Sequence, residues 1–227
     1  MRDAAETLPG TGVSSALHQH AETRLQLLEA AGEVFAEMGF REATVREICR
    51  RAGANVAAVN YHFGDKERLY VEVLRFAHVR AYELYPLLPG VRPDSPPEEK
   101  LYAFVRSFLM RVFDKCRASW HGRLMSREMI EPTGALDALV DERMRPMADI
   151  LGGIVTELLQ CAPGDDRIRL CVASVVSQCV FYHHCRPVLE RMQSAFIPSD
   201  QAGIDRLAEH ITAFSLAAIK HLPRSGN

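Results

Sequence analysis

Apolar residues recur at spacings of three and four along most of the chain, the period of a helix with one buried face. Near the N-terminus this pattern predicts a helix from about Glu22 to Met38, ending at Gly39. Two shorter helices follow, one opened by Thr44 and one covering Val56 to His62. Between them Gly53 suits the left-handed conformation that ends a helix. The first 70 residues therefore predict three helices joined by tight turns.

Polar residues at the predicted helix starts match capping patterns. Thr44 has a hydroxyl that can accept a backbone N–H, and Glu47 three residues later completes a capping-box sequence. Asn55 is placed to cap the third helix, and Asp65 a fourth that runs to about Leu84. We expect these caps to set where each helix begins.

The rest of the chain also predicts helices and no trustworthy β-type alternation. After a Pro-rich linker, Pro86–Pro97, Ser95 and Glu98 suggest a capped helix. Further helical segments are Ser119–Glu131, Gly134–Gln160 with Pro146 kinking or dividing it, Arg167 to about Cys185, and Ile204–Ile219. The predicted fold class is all-α: a three-helix helix-turn-helix head (residues 21–67) and a C-terminal helical bundle for ligand binding and dimerisation, the body (residues 68–222). Residues 1–20 read as a disordered arm and residues 223–227 as a tail.

A helix, a Gly-containing turn and a second helix with small and hydrogen-bonding groups outward is the helix-turn-helix pattern. If Val59 and Phe63 face the core, Ala57, Ala58 and Asn60 face outward. Alanine methyls can contact thymine methyls in a major groove, and an Asn amide can pair with adenine. The full predicted DNA-contacting set is Thr44, Arg46, Asn55, Ala57, Ala58, Asn60, Tyr61, His62 and Lys66.

The same pattern also fits simple helical packing, in which Tyr61 and His62 only close the end of a helix. The surrounding sequence favours DNA. The run from Leu25 to Leu74, with AAGEVFAEMGF, ATVREICRRAGA and NYHFGDKERLY, resembles the DNA-binding domain of the TetR family of bacterial repressors. NVAAVNYHFGDKERLY, together with SREMIEPTGALDALV at Ser126–Val140, looks like the CecR-like subfamily. The resemblance implies a dimeric all-helical regulator with a small-molecule effector in its body and the fourth helix as a lever.

Composition and charge limit the alternatives. The chain has 227 residues, 48% of them hydrophobic, and a net charge of −2. It has no run of 18 apolar residues and no apolar core in its N-terminal segment, so we expect a cytoplasmic protein with no membrane span. Positive charge is local, at Arg41, Arg46, Arg50, Arg51, Lys66 and Arg68. This suits a specific DNA binder whose non-specific affinity is weak.

Polar and aromatic residues of the body predict an effector pocket. Pockets between bundle helices are mostly apolar with a few placed polar groups. The candidate set is Trp120, His121, Arg123, Met125, Glu128, Met129, Gln178, Tyr182 and His183. Any one of them can instead be structural, for example Trp120 as core or Arg123 and Glu128 as solvated groups.

The last two predicted helices carry more apolar surface than one face requires. We expect them to pair with their two-fold mates as a four-helix dimer interface. The predicted interface residues are Leu170, Ser174, Phe181, Leu207, Ile211, Phe214 and Ala218. The alternative is that both helices are the internal core of a monomer.

The sequence gives little support for a metal site or for catalysis. His183, His184 and Cys185, with Cys179 nearby, suggest a metal site, but adjacent His side chains point in different directions and no set of four ligands is complete. The six cysteines lack CxxC spacing, and we expect no disulfide, metal or cofactor. Because hydrolase, phosphate-loop and Rossmann motifs are absent, we expect no enzyme. The predicted function is a sequence-specific transcription regulator, a repressor released from a palindromic operator by a small-molecule effector. The alternatives are an architectural DNA-binding protein without an effector and a small-molecule enzyme of the helical body.

Overall fold

The computed structural model describes residues 11–113, 120–192 and 197–223, and their side chains from residue 18 onward. These residues form helices joined by turns and loops, with no strand among them, as the sequence predicts. The helices are α1 Thr11–Glu42, α2 Val45–Ala52, α3 Val56–Phe63, α4 Lys66–Leu84, α5 Pro97–Phe113, α6 Trp120–Ile130, α7 Ala135–Leu139, α8 Arg145–Leu159, α9 Asp166–His184, α10 Arg186–Arg191 and α11 Gln201–His221.

Three of the four predicted N-terminal caps form in the expected places. Thr44 Oγ1 accepts from Glu47 N at 3.2 Å, Asn55 Oδ1 from Ala57 N at 3.0 Å, and Asp65 Oδ1 from Arg68 N at 2.7 Å. Gly53 ends α2 in the left-handed conformation, with φ 64°. Ser95 is the exception, because its hydroxyl accepts from Arg92 N within the linker and α5 begins after it, at Pro97.

Helix α1 departs from its predicted limits at both ends. It begins at Thr11, so residues 11–20 belong to the helix, and the predicted disordered arm is wrong for them. Residues 1–10 lie outside the described residues. Gly39 interrupts the helix as predicted, with φ 81° and ψ 166°, but a last helical stretch continues to Glu42. The start of α1 therefore extends beyond the three-helix head.

The predicted segment Gly134–Gln160 is divided before Pro146. A π-helical turn, Val140–Met144, joins α7 to α8, and Pro146 occupies the first turn of α8, where its missing N–H costs no helical bond. The short helix α10 has no counterpart in the prediction. The other body helices lie within a few residues of their predicted positions.

Two hydrophobic cores organise these helices. The first lies among α1–α4 and also contains Trp120 and Leu124 of α6. The second lies among α5, α8, α9 and α11, with Phe104, Leu151 and Ile211 fully buried in it. Helix α6 therefore packs with the head, although the sequence places it in the middle of the body.

Candidate nucleic-acid interface and ligand domain

The outward face of α3 carries most of the predicted base-contacting groups. Val59 and Phe63 are buried, as expected, while Ala57, Asn60 and Tyr61 are exposed, Tyr61 with 72% of its surface accessible. Ala58 is half-buried and packs against the core, which contradicts its predicted outward position. Exposed Val56, which the prediction omitted, lies on the outward face instead. The signal in the sequence that could have identified Val56 is an exposed β-branched residue in the first turn of α3.

Only some of the positive charges near α3 are available for a phosphate. Arg46 is exposed, and within the described part of the chain no ion pair involves it. Arg50 and Arg51 both bind Glu47, at 2.7 and 2.9 Å, and Arg51 also binds Glu37 of α1 at 2.7 Å. Arg50 is therefore paired within α2, and Arg51 joins α2 to α1.

Glu47 has a different role from the one its capping-box position predicts. Its carboxylate accepts from the guanidinium groups of Arg50 and Arg51. These hydrogen bonds favour the charged form and lower the pKa of Glu47 to about 2. The side chain therefore forms an ion-pair network on the head surface, while Thr44 alone provides the cap.

Lys66 also has partners that the sequence did not indicate. Its ammonium donates to the backbone oxygens of Phe40, Arg41 and Ala43 at 3.0, 3.4 and 3.1 Å and lies 4.6 Å from the centre of the Phe40 ring. An ammonium has three N–H donors. All three are used at the end of α1, so the predicted phosphate contact from Lys66 would require giving up one of these bonds.

An aromatic cluster closes the end of α3. The His20 ring lies 5.1 Å from the Tyr61 ring and 5.4 Å from the His62 ring, centre to centre, in edge-to-face geometry. Burial, reinforced by the charges of His20 and Arg24, lowers the pKa of His62. His62 is half-buried, so the packing interpretation and the phosphate-contact interpretation both retain support for it.

Helix α6 joins the head directly to the body. The Trp120 ring lies over Gly32 of α1, so closely that a Cβ at Gly32 would be 2.5 Å from Cη2. Arg127 Nη2 donates to Glu37 O at 3.1 Å. On its other side α6 is bonded to α4 through the hydroxyl of Tyr70 and the carboxylate of Glu128, at 2.7 Å. Helix α6 therefore contacts both α1 and α4.

The nine residues predicted for the effector pocket have different partners in the structure. Trp120, Met125 and Glu128 belong to the head-side core or its hydrogen bonds, and Tyr182 packs against the body core. Among the remaining five, Arg123 and Met129 are exposed and Gln178 is bonded to Ser215. His121 is stacked on Trp120, and His183 lies beside Phe113 and Gly122. Of this set, Trp120, His121 and His183 lie close to one another around the first turn of α6, and the effector-pocket assignment stays a prediction.

A different polar group lies between α4, α5 and the π-helical turn. Arg111 of α5 lies 4.7 Å from the centre of the Tyr82 ring of α4, and Tyr82 lies 6.1 Å from His78. The charges of Arg111 and Arg143 both act on His78 and Tyr82. Periodicity did not reveal these residues, because each one taken alone looks like a polar residue on the solvent face of a helix.

The two C-terminal helices present an exposed face to which most of the predicted interface residues belong. Leu170 is 68% exposed and Phe214 is 60% exposed, and Ser174, Phe181 and Ala218 are also accessible. Leu207 and Ile211 are buried in the body core, so their assignment to the interface is wrong. Exposed small residues, namely Ala173, Ser177, Ala213 and Ala217, flank the large ones. We call these exposed residues of α9 and α11 the α9–α11 face.

Two family models match the chain, one at the DNA-reading head and one at the body. Residues 27–73 match the N-terminal domain model of the bacterial regulatory proteins of the tetR family. Residues 97–219, more than half of the chain, match the C-terminal domain of the HTH-type transcriptional dual regulator CecR. The chain is a TetR-family transcriptional regulator of the CecR-like kind. The predicted family and the predicted role as a transcription regulator are therefore confirmed.

Individual relatives agree with the family assignment. The transcriptional dual regulator CecR of Shigella flexneri is 26% identical over 165 residues, which cover 69% of this chain and 74% of that protein. The transcriptional repressor NicS of Pseudomonas putida is 26% identical over 222 residues, covering 94% and 98%. A TetR-like regulator from Rhodococcus sp. RHA1 superposes with a TM-score of 0.61 at 22% identity, covering 86% and 96% of the two chains.

A solved structure of AibR in complex with isovaleryl coenzyme A and operator DNA has the same fold. Its TM-score is 0.62 at 18% identity, and the match covers 85% of this chain and 97% of that one. Among the described helices of the present chain, none has the length and apolar character needed to cross a bilayer. Within the described ranges, no three His, Cys, Asp or Glu side chains are grouped as metal ligands would be.

Proposed function

We propose that this regulator is a homodimeric repressor that places α3 in the major groove of a palindromic operator and leaves the DNA when a small molecule binds in the body. The observation that carries the proposal is the exposed face of α3, formed by Val56, Ala57, Asn60 and Tyr61. Arg46 of α2 is also exposed and has no ion-pair partner within the described residues. Asn60 and the two apolar side chains supply base-edge contacts, and Arg46 supplies a phosphate contact.

The α9–α11 face supports a dimer. Large apolar residues such as Leu170 and Phe214 alternate there with Ala and Ser, which allow two helices to approach closely. An exposed apolar patch of this kind is typical of a protein–protein interface. One recognition helix reads few base pairs, whereas a two-fold dimer reads two half-sites separated by about one helical turn, ~34–36 Å.

The contacts of α6 and α4 with α1 support effector control. Trp120 packs on Gly32 and joins α6 to α1, and Tyr70 bonds to Glu128 and joins α4 to α6. Helix α4 also carries His78 and Tyr82 of the body's polar group. A ligand that favours one arrangement of these helices changes the spacing of the two heads, and differential affinity for the two spacings is sufficient for coupling. The relative NicS is named a repressor, and AibR was solved with operator DNA and a coenzyme A thioester.

Fluorescence anisotropy on DNA tests the sequence-specific part. The purified protein is titrated, near physiological salt, with the intergenic DNA upstream of its own gene and with a scrambled duplex. We expect a preference of ~10³ or more for the upstream DNA. Weak and equal binding to every intergenic segment tried, unaffected by any compound in a broad ligand screen, would favour an architectural DNA-binding protein.

Sedimentation equilibrium tests the dimer. Phe214→Asp and Leu170→Asp place a charge in the α9–α11 face and should yield a folded monomer with weak operator affinity. Ile130→Asp is the matched control, because Ile130 is also an exposed apolar residue but lies at the end of α6. A dimer that survives both α9–α11 substitutions would rule out this interface.

A further inference from the structure

The guanidinium of Arg111 is enclosed on one side by hydrogen bonds and on two others by aromatic rings. Its Nη1 donates to Tyr85 O at 2.8 Å and to Ser107 Oγ at 2.6 Å. Its central carbon lies 4.7 Å from the centre of the Tyr82 ring and 5.8 Å from that of Phe108. These contacts hold the plane of the guanidinium in one orientation, and its Nη2 atom takes part in neither hydrogen bond.

The Nη2 atom of Arg111 is buried and has no hydrogen-bond partner among the described residues. Arg143 Nε of the π-helical turn is buried in the same way. Within residues 11–113, 120–192 and 197–223, no carboxylate forms an ion pair with either guanidinium. Glu142, the carboxylate next to Arg143 in the sequence, is bound by Arg75 of α4 instead.

The positive charges of Arg111 and Arg143 act on the same two side chains, His78 and Tyr82. Burial, together with the charges of Arg143 and Arg111, lowers the pKa of His78 to about 4. Burial also raises the pKa of the Tyr82 hydroxyl, so that near pH 7 neither neighbour carries a charge. The site thus holds two guanidinium cations, and neither His78 nor Tyr82 compensates them.

An arginine does not lose its charge in a protein, and a buried charge is ordinarily paired. A buried polar atom without a partner in a native protein needs an explanation, of which a bound ion is one. A guanidinium held by one edge still presents donors in a planar fork that matches a carboxylate or a phosphate. The missing partner is therefore expected to be negatively charged.

We propose that the effector of this regulator is an organic anion whose carboxylate or phosphate group binds Arg111, with Arg143 as a second positive group. This inference rests on the proposed function and deepens it by giving the chemical class of the effector. The residues around Arg111 indicate that the rest of the ligand is apolar: Tyr82, Phe108, Met147 and Cys179.

The position of the site explains how such an anion would act on DNA binding. His78 and Tyr82 lie on α4, the helix that follows the DNA-reading head. His121, whose charge also acts on His78, is stacked on Trp120 at 3.7 Å, and Trp120 lies on Gly32 of α1. An anion drawn toward Arg111 and Arg143 therefore acts on both helices that contact the head.

Isothermal titration calorimetry without DNA tests the charge requirement. The probes are benzoate, octanoate and phenyl phosphate, with benzamide and octanamide as uncharged matches, all at one ionic strength. We expect at least one anion to bind the wild-type protein about tenfold or more tightly than its amide. Benzoate compared with phenyl phosphate then distinguishes a carboxylate from a phosphate effector. Amides that bind as tightly as the acids, or no anion binding at millimolar concentration, would overturn the proposal.

Substitution of Arg111 tests the assigned residue. Arg111→Met should weaken anion binding by about ten- to a hundredfold. It should leave the melting temperature without probe unchanged or raised, because an uncompensated buried charge is removed. Arg145→Met is the control, since Arg145 is exposed and pairs with Asp141 on the surface. If Arg111→Met does not fold, Arg111→Gln keeps a donor for Tyr85 O without the charge. Anion affinity unchanged in the folded variant would contradict the assignment.

The failure of this proposal can be distinguished from failure of the repressor function. Anion binding that depends on Arg111, in a protein with no preferred DNA sequence, would leave the ligand class intact and reject the repressor. Release from the operator by uncharged compounds, with no effect of the matching acids, would keep the repressor and reject an anionic effector.

Discussion

The hydroxyl of Tyr70 donates a hydrogen bond of 2.7 Å to the carboxylate of Glu128, and both side chains are buried. Burial, and then the bond itself, raises the pKa of Tyr70, so the phenol remains a donor. The same carboxylate accepts from the backbone N–H and the hydroxyl of Thr133 at 2.9 and 3.0 Å. One buried acidic group thus connects α4, α6 and the end of the α6–α7 loop.

Tyr70→Phe should lower the free energy of unfolding by about 1.5–3 kcal/mol, because a buried carboxylate loses one of its donors. Urea denaturation followed by circular dichroism measures the loss. Tyr61→Phe is the control and should change stability by less than about 0.5 kcal/mol, since Tyr61 is exposed on α3. Equal unfolding midpoints for the two variants would show that the buried bond contributes little.

Gly32→Ala should destabilise the protein by about 1–3 kcal/mol, because the added methyl would overlap the Trp120 ring. Thermal unfolding gives the change in melting temperature. Gly153→Ala in α8 is the matched control, since nothing lies within 4 Å of a Cβ there and Ala favours a helix. A Gly32→Ala protein as stable as the Gly153→Ala protein would mean that α6 does not pack on α1 as described.

Asn60→Ala should cost about 1–3 kcal/mol on the operator and relax its sequence preference, because it removes a base-edge contact. Arg46→Ala should weaken operator and random DNA alike and reduce the slope of log affinity against log salt by about one. Anisotropy titrations at several salt concentrations separate the two effects. Equal losses on both DNAs for both variants would remove the specific role of Asn60.

Lys66→Met should lower the melting temperature while leaving the salt dependence of DNA binding unchanged. The ammonium donates to Phe40 O, Arg41 O and Ala43 O, and its loss leaves three backbone acceptors at the end of α1 without their partner. Arg46→Ala serves as the opposite case, with an altered salt slope and normal stability. A reduced slope for Lys66→Met would restore the phosphate contact that the sequence predicted.

Acidification between about pH 6.5 and pH 4 should destabilise the folded protein through His78. Its pKa is lowered to about 4 by burial and by the charges of Arg143 and Arg111, whereas the unfolded chain takes up the proton near 6.5. The unfolded state therefore binds more protons in this range, and stability is lost as the pH falls through it. His78→Gln should flatten the melting curve against pH there, and exposed His18→Gln should not. Parallel profiles for wild type and His78→Gln would argue against this contribution.

Local features were readable from the sequence because their physical causes lie within four residues. Thr44, Asn55 and Asp65 accept hydrogen bonds from N–H groups two or three positions away, and Gly53 supplies a left-handed backbone by itself. The helix-turn-helix and the exposed position of Asn60 follow from these caps together with the apolar period of α2 and α3. The resemblance of residues 25–74 to a known DNA-binding domain was visible for the same reason, and the match of residues 97–219 adds the second half of the family assignment.

Tertiary packing decided what pattern and spacing left open. Helix α6 packs on α1 because Gly32 leaves room for the Trp120 ring, a complementarity between residues 88 positions apart in the printed sequence. Leu207 and Ile211 lie in the body core while Phe214 remains exposed, although all three share one helical stripe. Arg111 lies beside Tyr82, and the charge of Arg143 acts on the same tyrosine, only when α4, α5 and the π-helical turn are packed together. Periodicity specifies which face of a helix is apolar, whereas which helix covers that face, and which buried charges meet, depends on the packing of the whole chain.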